Sequence, residues 1–171
     1  MKFNKTRSLT ISAMFLALGI LLPQAFHMIP NAGSIFLPMH IPVFVCGFVC
    51  GPLFGLLVGI ITPIISNIVF SMPNISMLPQ MIVELGCYGI LTGLLNNRVR
   101  IKNKIVKYYI ILIITMLFGR TCYGLMNYFI FKAGSYSLQI FLTGAFVTCL
   151  PGIIVQLLII PLLVNIVAKY E

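Results

Sequence analysis

The sequence predicts an all-α polytopic membrane protein. We expect six transmembrane helices, both termini cytoplasmic, in one membrane-embedded domain over residues 1–171. Three observations carry that expectation. First, the 171 residues are 60% hydrophobic and only 8% charged, with a mean hydropathy of +1.11, values that belong to membrane-spanning chains. Second, the stretch from Met39 to Asn67 holds no Asp, Glu, Lys or Arg, and its glycines Gly47, Gly51, Gly55 and Gly59 recur every fourth residue. That spacing puts small residues on nearly one helix face, where another backbone can approach closely. Third, nine of the eleven basic residues fall in three places: Lys2, Lys5 and Arg7; Arg98 to Lys107; and Lys169. Such clustering follows the positive-inside rule, with the N-terminus, the basic loop and the C-terminus on the inner side.

Taken in order, Ser8 to about Ile29 is the first span. It follows a basic start but is too long and lacks a small-residue cleavage site, so we read it as a retained helix, not a signal peptide. Pro30 to Pro38 is a loop between two prolines. As one helix the central stretch would be roughly 43 Å long, well beyond the hydrocarbon core. It therefore divides into helices at Met39–Gly51 and Pro52–Phe70, since Gly suits the end of one helix and Pro the first turn of the next. The first of these is short, and so tilted or entering from a loop that dips into the membrane. Ser71 to Met77 is an uncharged polar turn, Leu78 to about Leu95 the fourth span, and Asn96 to Lys107 the basic loop. Tyr108 to Phe131 is the fifth span and Lys132 to Ser137 a short turn. The last run, Leu138 to Val167, carries Pro151 and Pro161 and should kink or tilt.

Composition also excludes several functions. The only acidic residues are Glu84 and Glu171, so neither paired carboxylates for hydrolysis nor a Ser-His-Asp triad can be built. Two histidines, His27 and His40, with no metal-binding spacing give no metal site, and no cofactor is expected. The chain has no P-loop for ATP. The five cysteines lie in apolar runs without a C-x-x-C spacing and read as buried filler. An enzyme is disfavoured, and the three-way distribution of the net charge of +9 argues against nucleic acid.

Two ionisable residues lie inside apolar spans, Glu84 in MIVELGCYG and Arg120 in MLFGRTCYG. Ionisable groups are costly in lipid and face the protein interior, a cavity or each other. Glu84 and Arg120 are thus the leading substrate-binding candidates, the alternative being an ion pair that only locks two helices. His40, Asn67, Gln80 and Asn127 are further candidates, with Gln139 and Gln156 behind them; each could equally be an interhelical hydrogen bond.

With these residues in view, the chain resembles a substrate-binding S component of the energy-coupling-factor (ECF) vitamin transporters. The length, the six-span pattern, Ala13-Met-Phe-Leu-Ala17 in the first helix, the HIPV…GFVCGPLFGLLVGIITPIIS run and the ELGCYG and GRTCYG segments carry the resemblance over nearly the whole chain. It implies capture of a vitamin or vitamin precursor at the outer face of a cell membrane, of the prokaryotic plasma-membrane kind. It further implies docking on an ECF transmembrane coupling subunit with two cytoplasmic ATPases, which supply the ATP hydrolysis. Ala13 and Ala17 match the family's Ala-x-x-x-Ala coupling motif and would be partner-docking positions. Pro30–Pro38 and Ser71–Met77 would be outer gates. Arg120 makes an acid such as pantothenate or a folate reasonable; riboflavin, a thiamine precursor, a nucleobase-like precursor and a cobalamin fragment stay open. The rival reading from another class is a stand-alone secondary transporter or channel, for which a single intramembrane carboxylate is a thin coupling-ion site. A third is a scaffold in which the two charges only lock helices.

Overall fold

A computed structural model describes residues 4–25, 32–131, 143 and 147–167. Among these the regular elements are all helices, with no strand. The helices are α1 (Lys5–Ala25), α2 (Ala32–Phe36), α3 (His40–Cys50), α4 (Pro52–Phe70), α5 (Leu78–Arg98), α6 (Lys104–Phe131) and α7 (Leu150–Val167). Five of them, α1, α4, α5, α6 and α7, are long and apolar enough to cross a membrane.

The break in the central stretch falls where glycine and proline place it. Gly51 has φ 90°, a conformation that costs glycine little and other residues much. Pro52 opens α4, where its missing N–H loses nothing. Around that corner α3 is short, at 11 residues, of which nine are buried. Its length of roughly 16 Å does not cross a bilayer unaided, so α3 is enclosed by protein instead of forming an ordinary lipid-facing span.

The glycine spacing does what the sequence suggests, and the surface it serves is α5. A side chain at Gly55 would strike the Gly89 carbonyl, and one at Gly59 the Leu85 carbonyl. From the other side, Gly89 meets the Gly55 carbonyl, and Gly93 meets Gly51 and Pro52. The α4 and α5 backbones thus touch through a seam of small residues, the packing that membrane helices use in place of a hydrophobic driving force. On α1 the buried stripe is Ser8, Ser12 and Gly19. Ser12 faces Cys46 of α3, whose Sγ lies 3.6 Å from its Oγ, and Gly19 lies against Thr62 of α4.

Several expected boundaries change. The first helix begins at Lys5, earlier than Ser8, and is described to Ala25; the expected continuation to Ile29 lies outside the described residues. Pro30–Pro38 is not simply a loop, because α2 forms inside it and packs on α7: a side chain at Gly152 would meet the Ile35 and Phe36 backbone. Gln156 Nε2 donates to the Leu37 carbonyl at 3.4 Å. The basic loop shrinks to residues 99–103. Val99 N–H closes α5 on the Leu95 carbonyl at 2.8 Å, and the Asn103 side chain caps α6 by accepting from Ile105 N–H at 3.0 Å. Arg98, Lys104 and Lys107 therefore stand on helix ends. Lys132–Ser137 lies outside the described residues, as does most of the last run before α7.

Candidate functional site

Facing residues of α3, α5 and α6 assemble one buried polar cluster. Glu84 and Arg120, which the sequence sets on separate helices, meet directly: Arg120 Nη1 lies 3.1 Å from Glu84 Oε1, with side chains only 6% and 3% exposed. Tyr88, one turn beyond Glu84 on α5, donates its hydroxyl to Glu84 Oε1 at 2.8 Å. His40 Nε2 approaches Glu84 Oε2 at 3.7 Å, and neither ring nitrogen of His40 makes a hydrogen bond. A buried polar atom without a partner is rare enough to ask for one, a water or a ligand.

The Tyr88 ring holds this arrangement in place. It stacks on Phe44 at 4.6 Å between centroids and stands 5.5 Å from the His40 ring. Gly119 leaves the space that the ring occupies, since any Cβ there would collide with it. The glycine of the GRTCYG segment thereby places Arg120, its neighbour, beside the tyrosine of the ELGCYG segment.

Nearer the start of α5, Gln80 Nε2 donates to Asn127 Oδ1 at 3.3 Å, and both residues are buried. Gln80 Oε1 is left without a partner. Asn67 is placed differently: its amide donates to the Pro73 carbonyl at 2.6 Å and ties down the loop after α4. Among the described residues no hydrogen bond or ion pair links Asn67 to Glu84. Ala13 and Ala17 are exposed on α1, away from its buried stripe. Gln139 lies outside the described residues.

A cavity of about 130 Å³ opens beside the ion pair, walled by Tyr88 and Arg120 together with Ile113 and Met116 of α6 and Ile153 and Gln156 of α7. Arg120 thus both pairs with Glu84 and lines the cavity. A guanidinium has five N–H donors, so one contact with Glu84 leaves donors over. Tyr88 was not anticipated from the sequence. Its place four residues after Glu84, on the same helix face, was the available signal. The apolar wall from α6 and α7 had no such signal, because its residue types are those of any membrane helix.

Long apolar helices closed around a buried ion pair, with orphaned polar atoms and a cavity beside it, define a multi-pass membrane protein with a polar centre. Matching residues 7–164 to the family described as ECF transporter, substrate-specific component, establishes that the chain belongs to that family. It is the membrane substrate-binding component of an ECF-type importer, and that family is one of transporter components, not an enzyme family. Such components bind small substrates and work with a coupling subunit and ATPases. No curated protein and no solved structure matches the chain.

Proposed function

We propose that this S component binds an acidic vitamin-type molecule, of the pantothenate or folate kind, between α3, α5, α6 and α7. The observation that carries this reading is Arg120, buried on Glu84 yet forming a wall of the cavity. Its spare donors suit a carboxylate, and the Ile113, Met116 and Ile153 side suits an apolar body. His40 and the Gln80–Asn127 pair supply further polar contacts. The cavity is smaller than the roughly 300 Å³ at the low end of small-molecule sites. The smaller, pantothenate-like acid is therefore the better fit, and α7 must shift for anything larger. The α2 segment on α7 and the Ser71–Met77 turn held by Asn67 act as the outer gates.

In this reading Ala13 and Ala17 dock the coupling subunit, because they are exposed small residues one turn apart on α1. Calorimetry on the purified protein tests both parts. Pantothenate should bind, with folate as the comparison acid. Ala17→Trp should bind the same ligand with unchanged affinity while ATP-driven uptake in the assembled transporter falls at least about tenfold, since bulk obstructs close helix approach. Lost binding with intact assembly would place Ala17 in the site and refute the docking role; no binding of either acid would refute the substrate class.

We also assign six crossings in one domain, both termini cytoplasmic, in a prokaryotic plasma membrane. The short α3 completes its crossing with the Leu37–Met39 segment. Asn74 and Asn103 are both exposed and stand at opposite ends of α5. A single cysteine at Asn74 in a cysteine-free variant should react with an impermeant thiol reagent in whole cells, and one at Asn103 should not. The reverse pattern would invert the topology.

A further inference from the structure

Five exposed cations at one end of the bundle have no carboxylate beside them among the described residues. Packing brings the N-terminus of α1, the Gly51 corner, the C-terminus of α5 and the N-terminus of α6 to the same end. Gly93 lies on Gly51 and Pro52, Asn96 Nδ2 donates to the Phe48 carbonyl at 3.0 Å, and Lys107 Nζ donates to the Asn96 carbonyl at 2.7 Å. Ser12 sits on Cys46, with Gly19 farther along on Thr62, so α1 starts at this end too. Lys5, Arg98, Arg100, Lys102 and Lys104 are all exposed there. The sole carboxylate among the described residues, Glu84, is buried on Arg120. Glu171 is the only other acidic residue in the sequence, and one carboxylate cannot neutralise five cations. Lys104 also stands in the first turn of α6, where the helix dipole disfavours a cation.

We propose that this end is an anionic-phospholipid site, with headgroup phosphates as the missing counter-ions. The cations flank the apolar start of α6, exposed at Ile105 and Val106, so a lipid can set its phosphate among the charges and its chains along that helix. Clusters of four to eight Lys or Arg beside a membrane span have this lipid preference. The site is separate from the substrate cavity and does not depend on which substrate is bound.

The test is native mass spectrometry of the full chain from micelles holding equal amounts of phosphatidylglycerol and phosphatidylcholine. The parent protein should retain phosphatidylglycerol preferentially, and added salt should weaken the preference. In the combined variant Arg98→Gln, Arg100→Gln, Lys102→Gln and Lys104→Gln the preference should fall at least about tenfold. The pair Arg100→Gln and Lys102→Gln, confined to the link outside the helices, should show a smaller fall in the same direction. Arg98→Lys with Arg100→Lys should keep the preference. Equal retention of the two lipids by the parent, or an unchanged ratio in the neutralised variants, overturns the proposal. So does a parent without lipid preference whose co-purification with the coupling module is lost in the same variants, since the counter-ions would then be a partner's carboxylates.

Discussion

Glu84→Gln is expected to destabilise the folded protein by about 3 kcal/mol, and by more than Arg120→Met does. Both substitutions break the same 3.1 Å pair, but what they leave behind differs. Glu84→Gln strands a guanidinium that cannot give up its charge in a region only 6% exposed. Arg120→Met strands a carboxylate, which still receives the Tyr88 hydroxyl and has His40 at 3.7 Å, and which can escape the penalty by taking a proton. Ligand binding should rank the other way. Arg120→Met removes the guanidinium with which the proposed acid would pair, and charge-assisted hydrogen bonds of that kind support a loss of about a hundredfold in affinity. The measurements are melting temperature and calorimetry on each variant, together with the exchange Glu84→Arg plus Arg120→Glu. A pair that only locks α5 to α6 regains stability and binding together in the exchange. A pair that reads the ligand regains stability but not binding. Near-normal affinity in a well-folded Arg120→Met variant would remove Arg120 from the site and the acidic substrate with it.

Replacing Gly89 by Ala is expected to be as damaging as breaking the ion pair, at about 3 kcal/mol, the upper end for overpacking. The added Cβ would run into the Gly55 carbonyl and the Leu56 backbone. Backbone cannot rotate aside as a side chain does, so α4 and α5 must separate along the seam that Gly55 and Gly59 form from the other side. Glu84 and Tyr88 are on the same helix, so the separation reaches the site as well, and ligand affinity should fall with stability. Gly86→Ala is the matched control one turn away. Its Cβ would meet only side chains, at ordinary van der Waals distance, Leu56 Cδ1 at 3.4 Å and Ile60 Cγ1 at 3.5 Å, and the change should stay within about 0.5 kcal/mol. Unfolding of both variants in the same detergent decides the matter. Equal stability of Gly89→Ala and Gly86→Ala would mean that the seam is looser than its geometry.

The sequence by itself determined the helical membrane class, the corner at Gly51-Pro52, the α4 boundaries and the residues whose charge forces them inward. These follow from local causes: hydropathy fixes the solvent, glycine and proline fix the breaks, and an ionisable group in an apolar run must find a polar partner. Only the tertiary structure decided which partners meet. Which of α1, α5 and α6 would receive the glycine face of α4 is a choice among equally apolar surfaces. It is settled by where Gly89 and Gly93 let backbones touch. The pairing of Glu84 with Arg120 depends on that choice, as does the Tyr88 ring seated over Gly119. Helix α3 lies where the sequence places a short helix, but its burial was not legible, because hydropathy reports transfer out of water and does not distinguish a helix facing lipid from one wrapped in protein; α2 was read as loop because it lies between two prolines and finds its packing only against α7. Asn67 turns to its own loop and donates to the Pro73 carbonyl, a choice of acceptor that no spacing in the sequence reveals.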